Sequence, residues 1–473
     1  MRAVTEHSCH RLIVSGVSCL FVAAAMVVSL LVGPMAALAR PVPVTAARQL
    51  SSPLSGVKTF ALGSGATHFA VHWRGSPAAR LRVALSLDGR RFGTPRTVVL
   101  DELGEQLHNG ETYGVVTPAP RAKAVRVWSD RRLRRVSVLV LRDHGGRPRR
   151  QRLAGSATVS QPSVISRAGW GADESLRFDS TGKEIWPAEF WPIQKLIVHH
   201  TATQNNDPNP AATIRSIYYY HAVTQGWGDI GYNFLVDETG NVYEGRHSRV
   251  YALGESPTGE DVNGNGVTGG HALNYNAGTV GIALLGTLTN QDATAAARDA
   301  LERMLAWKAS AHGLDPQGTS LYTNPVNGIQ KTFANIAGHR DANSTECPGG
   351  VLYATLPRIR TDVAARIAGT PPPPPPPSVV TGSATGITST SAKLTGTVNP
   401  NGRATTYHFD YGRTTSYGGR TPDAAAGSAN AAASVTAALA GLARKTLYHY
   451  RLVATNPSGT TVGADATFTT RSR

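Results

Sequence analysis

Three residues of this chain have the types needed to hold a catalytic metal: His199, His339 and Cys347. Imidazole nitrogen and thiolate sulfur are usual zinc donors, and a catalytic site keeps three protein ligands and one open position. Zinc so held lowers the pKa of a water towards neutrality and polarises a carbonyl, as amide hydrolysis at neutral pH requires. His199 closes an apolar run, residues 195–199, that reads as a short strand. His339 and Cys347 flank a polar loop, residues 338–349. A strand end and a short loop can converge on one ion. Spacing alone establishes little, because a surface His and a buried thiol are the ordinary reading of such residues.

The cysteine count bears on this. The chain has 3 Cys, at positions 9, 19 and 347. Arg2 and Arg11 precede an apolar run over 12–32, and Ala37-Leu38-Ala39 offers an A-x-A cleavage site. Read as a signal peptide over 1–39, this segment directs secretion and removes Cys9 and Cys19. Cys347 is then the sole thiol. A lone Cys in an exported chain pairs between molecules, reacts, or binds a metal. An uncleaved signal anchor is the alternative reading of so long an apolar run. No Cys stands at the cleavage point and no later segment is long and apolar enough to span a bilayer, so no stable membrane anchor is expected.

The elements that must position these residues follow from pattern. At roughly 100–200 residues per domain, 473 residues make about three domains. A chain 41% hydrophobic is globular, and a net charge of +16 favours anionic partners. Residues 41–160 read as a β-rich domain, with alternation at 69–73 and 81–85 and an Asp88-Gly89 turn. Arginine crowds residues 121–152. A solvated face accounts for it, and an anionic cell-wall polymer is the functional alternative. Nucleic acid is not expected in an exported chain without a nucleic-acid motif. Residues 165–369 alternate strands and helices, an α/β domain. Strands are expected at 195–199, 232–237, 241–244 and 279–285, and helices at 211–221, 293–312 and 351–367. The proline run at 371–377, within a linker over 370–377, reads as a semi-rigid spacer. Residues 378–473 are β-rich again. Leu442, Tyr448 and Tyr450 there resemble the tyrosine corner of fibronectin type III domains, which implies a sandwich and no particular function.

The strings around the candidate ligands carry a second resemblance. Ile197-Val198-His199-His200-Thr201-Ala202, Gly226-Trp227-Gly228-Asp229-Ile230-Gly231-Tyr232-Asn233-Phe234, Asn241-Val242-Tyr243-Glu244-Gly245-Arg246 and Gly278-Thr279-Val280-Gly281-Ile282-Ala283-Leu284-Leu285-Gly286 occur in order. Ala337-Gly338-His339-Arg340-Asp341 and Cys347-Pro348-Gly349 follow, and Ile165-Ser166-Arg167-Ala168-Gly169-Trp170-Gly171-Ala172 precedes them. Together they resemble the type 2 N-acetylmuramoyl-L-alanine amidases and peptidoglycan recognition proteins.

The resemblance implies a mixed sheet with flanking helices and a zinc ion (Zn2+) on His199, His339 and Cys347. It also implies hydrolysis of the amide between N-acetylmuramic acid and L-alanine in peptidoglycan. Tyr232 matches the family's catalytic tyrosine. Thr345 stands where the phage-type enzymes have Lys and the animal proteins Thr, so it can hydrogen-bond an oxyanion but brings no charge. His271, His200 and Asn233 are placed near the substrate, although strand alternation turns His200 away from the face of His199 and favours packing or a supporting hydrogen bond. Asp261-Val262-Asn263-Gly264-Asn265-Gly266 has the opening of a calcium loop, but Ala272 stands where a bidentate Glu is required. A substrate-facing loop is the expectation there. Two rivals remain: a binding module that does not cleave, which in this family characteristically lacks the Cys ligand, and a cell-wall scaffold.

Overall fold

The computed structural model describes residues 44–101, 110–146, 159–252, 254–370 and 374–473. The proposed signal peptide, Arg147, Arg149, Arg150, Arg152 and the first three prolines of the linker lie outside the described residues.

The central domain is built on six strands: β1 (Val164–Ile165), β2 (Lys195–His200), β3 (Phe234–Val236), β4 (Val242–Glu244), β5 (Thr279–Leu284) and β6 (Ile336–Gly338). Their order across the sheet is β1-β4-β3-β5-β2-β6. Only the β3–β4 hairpin is antiparallel. Every residue of β2 and β5 is buried, as expected of parallel strands covered on both faces. Helix α1 (Pro210–Tyr219) covers one face; α2 (Ala295–Ala311) and α3 (Gly350–Ile367) cover the other. Asn209 caps α1 by accepting from the Ala212 N–H, with Pro210 in the first turn, where its missing N–H costs nothing. Leu196 and Val198 point towards α2 and α3, in one core with Leu301, Leu305 and Leu356. Ile197 and His199 therefore face the α1 side.

The N-terminal domain is a sandwich of two antiparallel sheets. One holds strands Val44–Leu54, Leu133–Asp143, His68–Arg74 and Glu111–Tyr113; the other holds Val57–Ala61, Ala124–Ser129, Leu81–Ser86 and Arg96–Thr97. Strand His68–Arg74 shows why alternation misleads here. Phe69, Val71 and Trp73 fill the sandwich core, as the pattern predicts. The opposite face, with His68, Ala70 and His72, is buried as well, because it docks against the central domain. Ala70, Tyr113, Val116, Leu139 and Leu141 share one apolar cluster with Ile214 and Ile217 of α1. Polar contacts complete the junction. Arg215 of α1 holds Asp143 by two bonds, Nε–Oδ1 2.5 Å and Nη2–Oδ2 2.8 Å, both side chains buried. Thr213 donates to Asp207 and so accepts from His68 Nε2 at 3.0 Å.

The C-terminal part is a second sandwich, with a three-stranded and a six-stranded sheet. Tyr448 lends its hydroxyl oxygen to the Ala443 N–H at 3.0 Å, the corner contact that the sequence suggested. The Pro374 carbonyl accepts from Arg358 of α3 and the Pro376 carbonyl from Asn401, so the described part of the linker is held at both ends. No described helix is long and apolar enough to cross a membrane.

Two outcomes follow from the junction. Asp143→Ala leaves the Arg215 guanidinium buried without its carboxylate and is expected to cost about 3–5 kcal/mol in urea unfolding; an unchanged midpoint would show that the pair does not hold the domains together. Burial lowers the His68 pKa from 6.5 to about 4, outweighing the attraction of Asp207 and Asp143. The folded state thus favours neutral His68. Its contribution to stability is complete above pH 6.5 and is lost as pH falls towards 4. The urea midpoint should drop between pH 7 and pH 5, and less steeply in His68→Gln.

Candidate metal centre

The pairing of β2 with β6 is parallel, with Val198 opposite Gly338. The next residue on each strand is therefore His199 and His339, side by side at the carboxyl ends of adjacent strands. Their ring centroids are 4.6 Å apart. His339 opens a single helical turn, His339–Ala342, where Asp341 Oδ2 accepts from the Gly338 N–H at 2.8 Å. The polar loop then folds back: the Arg340 N–H donates to the Cys347 carbonyl at 3.0 Å. This returns Cys347 Sγ to 3.6 Å from His199 Nδ1. One donor atom from each of His199, His339 and Cys347 lies within 4.8 Å of the others, and all three residues are buried.

Hydrogen bonding defines which imidazole nitrogen is available. Thr279 Oγ1 donates to the Tyr275 carbonyl at 2.6 Å, so it accepts from His271 Nε2 at 3.3 Å. His271 Nδ1 is then an acceptor, and His199 Nε2 donates to it at 3.1 Å. The lone pair of His199 is left on Nδ1, facing Cys347. A ligating His commonly donates its other N–H to such a partner, which fixes ring and tautomer. Gly281 makes room for this: a Cβ there would lie 2.4 Å from His271 Cγ. Burial, aided by the neighbouring histidines, holds the His199 pKa well below 6.5. Burial also lowers His339 and His200 to about 4 and His271 to about 3. The imidazoles are neutral at physiological pH, as ligands must be. The donor set, its burial and its protonation all fit zinc.

Tyr232 stands beside this cluster, its ring edge-on to His199 at 5.6 Å. Thr345 Oγ1 accepts from the Cys347 N–H at 2.9 Å, which leaves its hydroxyl proton to donate. His200 turns to the opposite face, where Nδ1 accepts from the Leu288 N–H at 3.1 Å. Asn233 and His271, expected near the substrate, are buried behind the metal wall and line no part of the cleft. Asn233 bridges backbone, donating to the Val267 carbonyl and accepting from the Gly281 N–H, each at 2.8 Å. Nor does the stretch 254–270 face the cleft. Glu260 ties it to Lys308 of α2 and to His312 just beyond that helix, and Val267 pairs with Phe190. The Asp261 carboxylate accepts from the Asn263 and Asn265 backbone and from the Asn265 amide, the contacts of a turn.

Two further points were invisible in the motifs. Asp229 joins Arg167 at 2.9 Å to Arg246 at 2.8 Å, which locks the opening motif onto the end of the hairpin. The cleft over the metal cluster is also walled by Leu100 and Asp101 of the N-terminal sandwich. They lie in a stretch with no motif, and no periodicity could have placed them there.

Comparison with known proteins agrees with this geometry. The family model described as N-acetylmuramoyl-L-alanine amidase matches residues 189–350. Peptidoglycan-recognition protein SC2 of Drosophila melanogaster is 31% identical over 189 residues, 40% of this chain and 80% of that protein. Peptidoglycan recognition protein 1 of Bos taurus is 28% identical over 193 residues, covering 40% and 80%. The N-acetylmuramoyl-L-alanine amidase of Sus scrofa is 32% identical over 219 residues, 45% of this chain but 30% of the pig protein. The chain belongs to the family of N-acetylmuramoyl-L-alanine amidases and peptidoglycan recognition proteins. The family model's match falls within the central domain.

His271→Ala removes the hydrogen bond that orients His199. It is expected to weaken zinc binding by about 10–100-fold in a chelator competition while the fold is retained. Equal affinity in variant and parent would mean that His271 does not orient the ligand.

Proposed function

We propose that this chain is a secreted zinc amidase that cleaves the amide between N-acetylmuramic acid and L-alanine in peptidoglycan. The observation that carries the reading is the convergence of Cys347 with His199 and His339 beside Tyr232. A protein that only binds its ligand has no need of a third metal donor next to a tyrosine. Zinc bound there supplies a Lewis acid that activates water and polarises the scissile carbonyl. The protein's own groups do the rest. His271 holds His199 in its ligating orientation. The Tyr232 hydroxyl orients the attacking water and the carbonyl. Thr345 donates a hydrogen bond to the oxyanion that develops on that carbonyl. The products are a glycan strand and a stem peptide with a free alanine amine.

The apolar N-terminus with its A-x-A site supports export through a signal peptide. The net charge of +16 supports contact with other anionic cell-wall polymers as well. The tyrosine corner supports a fibronectin type III-like fold for the last domain.

Incubating the full chain with purified peptidoglycan should release stem peptides and new alanine amines. A zinc chelator should abolish the release, and Cys347→Ser should abolish it together with zinc. Binding of peptidoglycan without release, in zinc-loaded protein, would overturn the enzyme reading in favour of a recognition module.

A further inference from the structure

The metal cluster lies in one domain, but the cleft above it is closed by two. A cavity of about 90 Å3 beside Tyr232 and Cys347 has Val99, Leu100, Asp101 and Val116 along one side. A larger cavity of about 510 Å3, reaching Thr345, has Leu100, Asp101 and Tyr113 along its side. The two adjoin, sharing Leu100, Asp101 and His339. All of the side-wall residues named belong to the N-terminal sandwich, outside the matched span 189–350.

This wall is held in place chemically. Asp101 Oδ2 accepts from Gln225 Nε2 at 2.8 Å and lies 3.4 Å from His221 Nε2. His221 Nδ1 accepts from the Gly231 N–H at 3.2 Å, so the imidazole proton sits on Nε2, towards Asp101. Tyr220 lines the smaller cavity, and its hydroxyl is buried with no hydrogen-bond partner among the described residues. A buried polar atom in that state is costly unless a ligand satisfies it.

The lining also has a sign. In a chain of net charge +16, no Lys or Arg among the described residues lines either cavity. Such a cleft suits a ligand that brings N–H donors and small aliphatic groups. A peptide has those donors and groups.

Resting on the peptidoglycan reading above, we propose that the N-terminal sandwich forms half of the ligand cleft. Asp101 and the Tyr220 hydroxyl take N–H donors of the stem peptide, and Leu100 and Val116 cover its first aliphatic side chain. Specificity for the peptide is then set partly by a domain that the matched family span does not include.

The test is calorimetric binding of muramyl tripeptide to the full chain, with a chelator present to prevent cleavage. Asp101→Asn and Tyr220→Phe should each weaken binding by about tenfold, the order expected for a buried hydrogen bond to a charged or otherwise unsatisfied group. Tyr220→Phe removes only a hydroxyl that has no partner among the described residues, so its thermal midpoint should hold even if Asp101→Asn loosens the junction. Unchanged affinity in both variants overturns the proposal. Tighter binding overturns it too, by showing that the wall obstructs the cleft. Failure of the parent protein both to bind muramyl tripeptide under chelator and to cleave it when loaded with zinc refutes the peptidoglycan reading itself, and the proposal falls with it.

Discussion

The in-register pairing of β2 with β6 is the contact on which the rest of the site depends. Parallel neighbours run about 4.8 Å apart. With Val198 opposite Gly338, two histidines distant in sequence leave the sheet next to each other. A shift of one residue would turn one of them to the α2 and α3 face. The register is secured by burial, since Leu196, Val198 and Ile336 must all enter the same apolar core. Metal chemistry is thereby linked to hydrophobic packing. The ligand positions are as firmly set as the core behind them.

The second layer repeats that logic with polar groups. His271 and Asn233 sit where a ligand cannot reach, yet both act on the site. His271 orients His199 through a chain that ends on Thr279. Asn233 ties β5 to the loop at Val267. Buried polar groups of this kind must be fully bonded, because an orphan in a low-dielectric interior costs more than a hydrogen bond returns. Gly281 belongs to the same device, since its missing side chain is the space His271 occupies.

The N-terminal sandwich changes the character of the whole. It shares an apolar cluster with α1 and adds the Arg215–Asp143 pair and the His68 contacts. The described residues of 41–160 and 165–369, which read as separate domains, are therefore packed as neighbours with a shared apolar cluster. The same docking that stabilises the junction carries Leu100 and Asp101 over the metal cluster.

Much of this was legible in residues alone. The buried strands, the long helices and the three ligand types follow from apolar runs and motifs, because short-range pattern encodes burial. Reading residues 1–39 as a signal peptide, which would leave Cys347 the sole thiol, pointed to Cys347 independently of any motif. Other features were decided only by tertiary structure. Asn233 and His271 are buried and line neither cavity, because a motif shows which residues are near a site and only packing shows which side of it they face. In strand His68–Arg74 alternation reveals one buried face and cannot reveal a partner for the other. Asp101 was silent altogether. Its place over the His199–His339–Cys347 cluster comes from two folded surfaces meeting, a long-range contact that leaves no periodic trace in the chain.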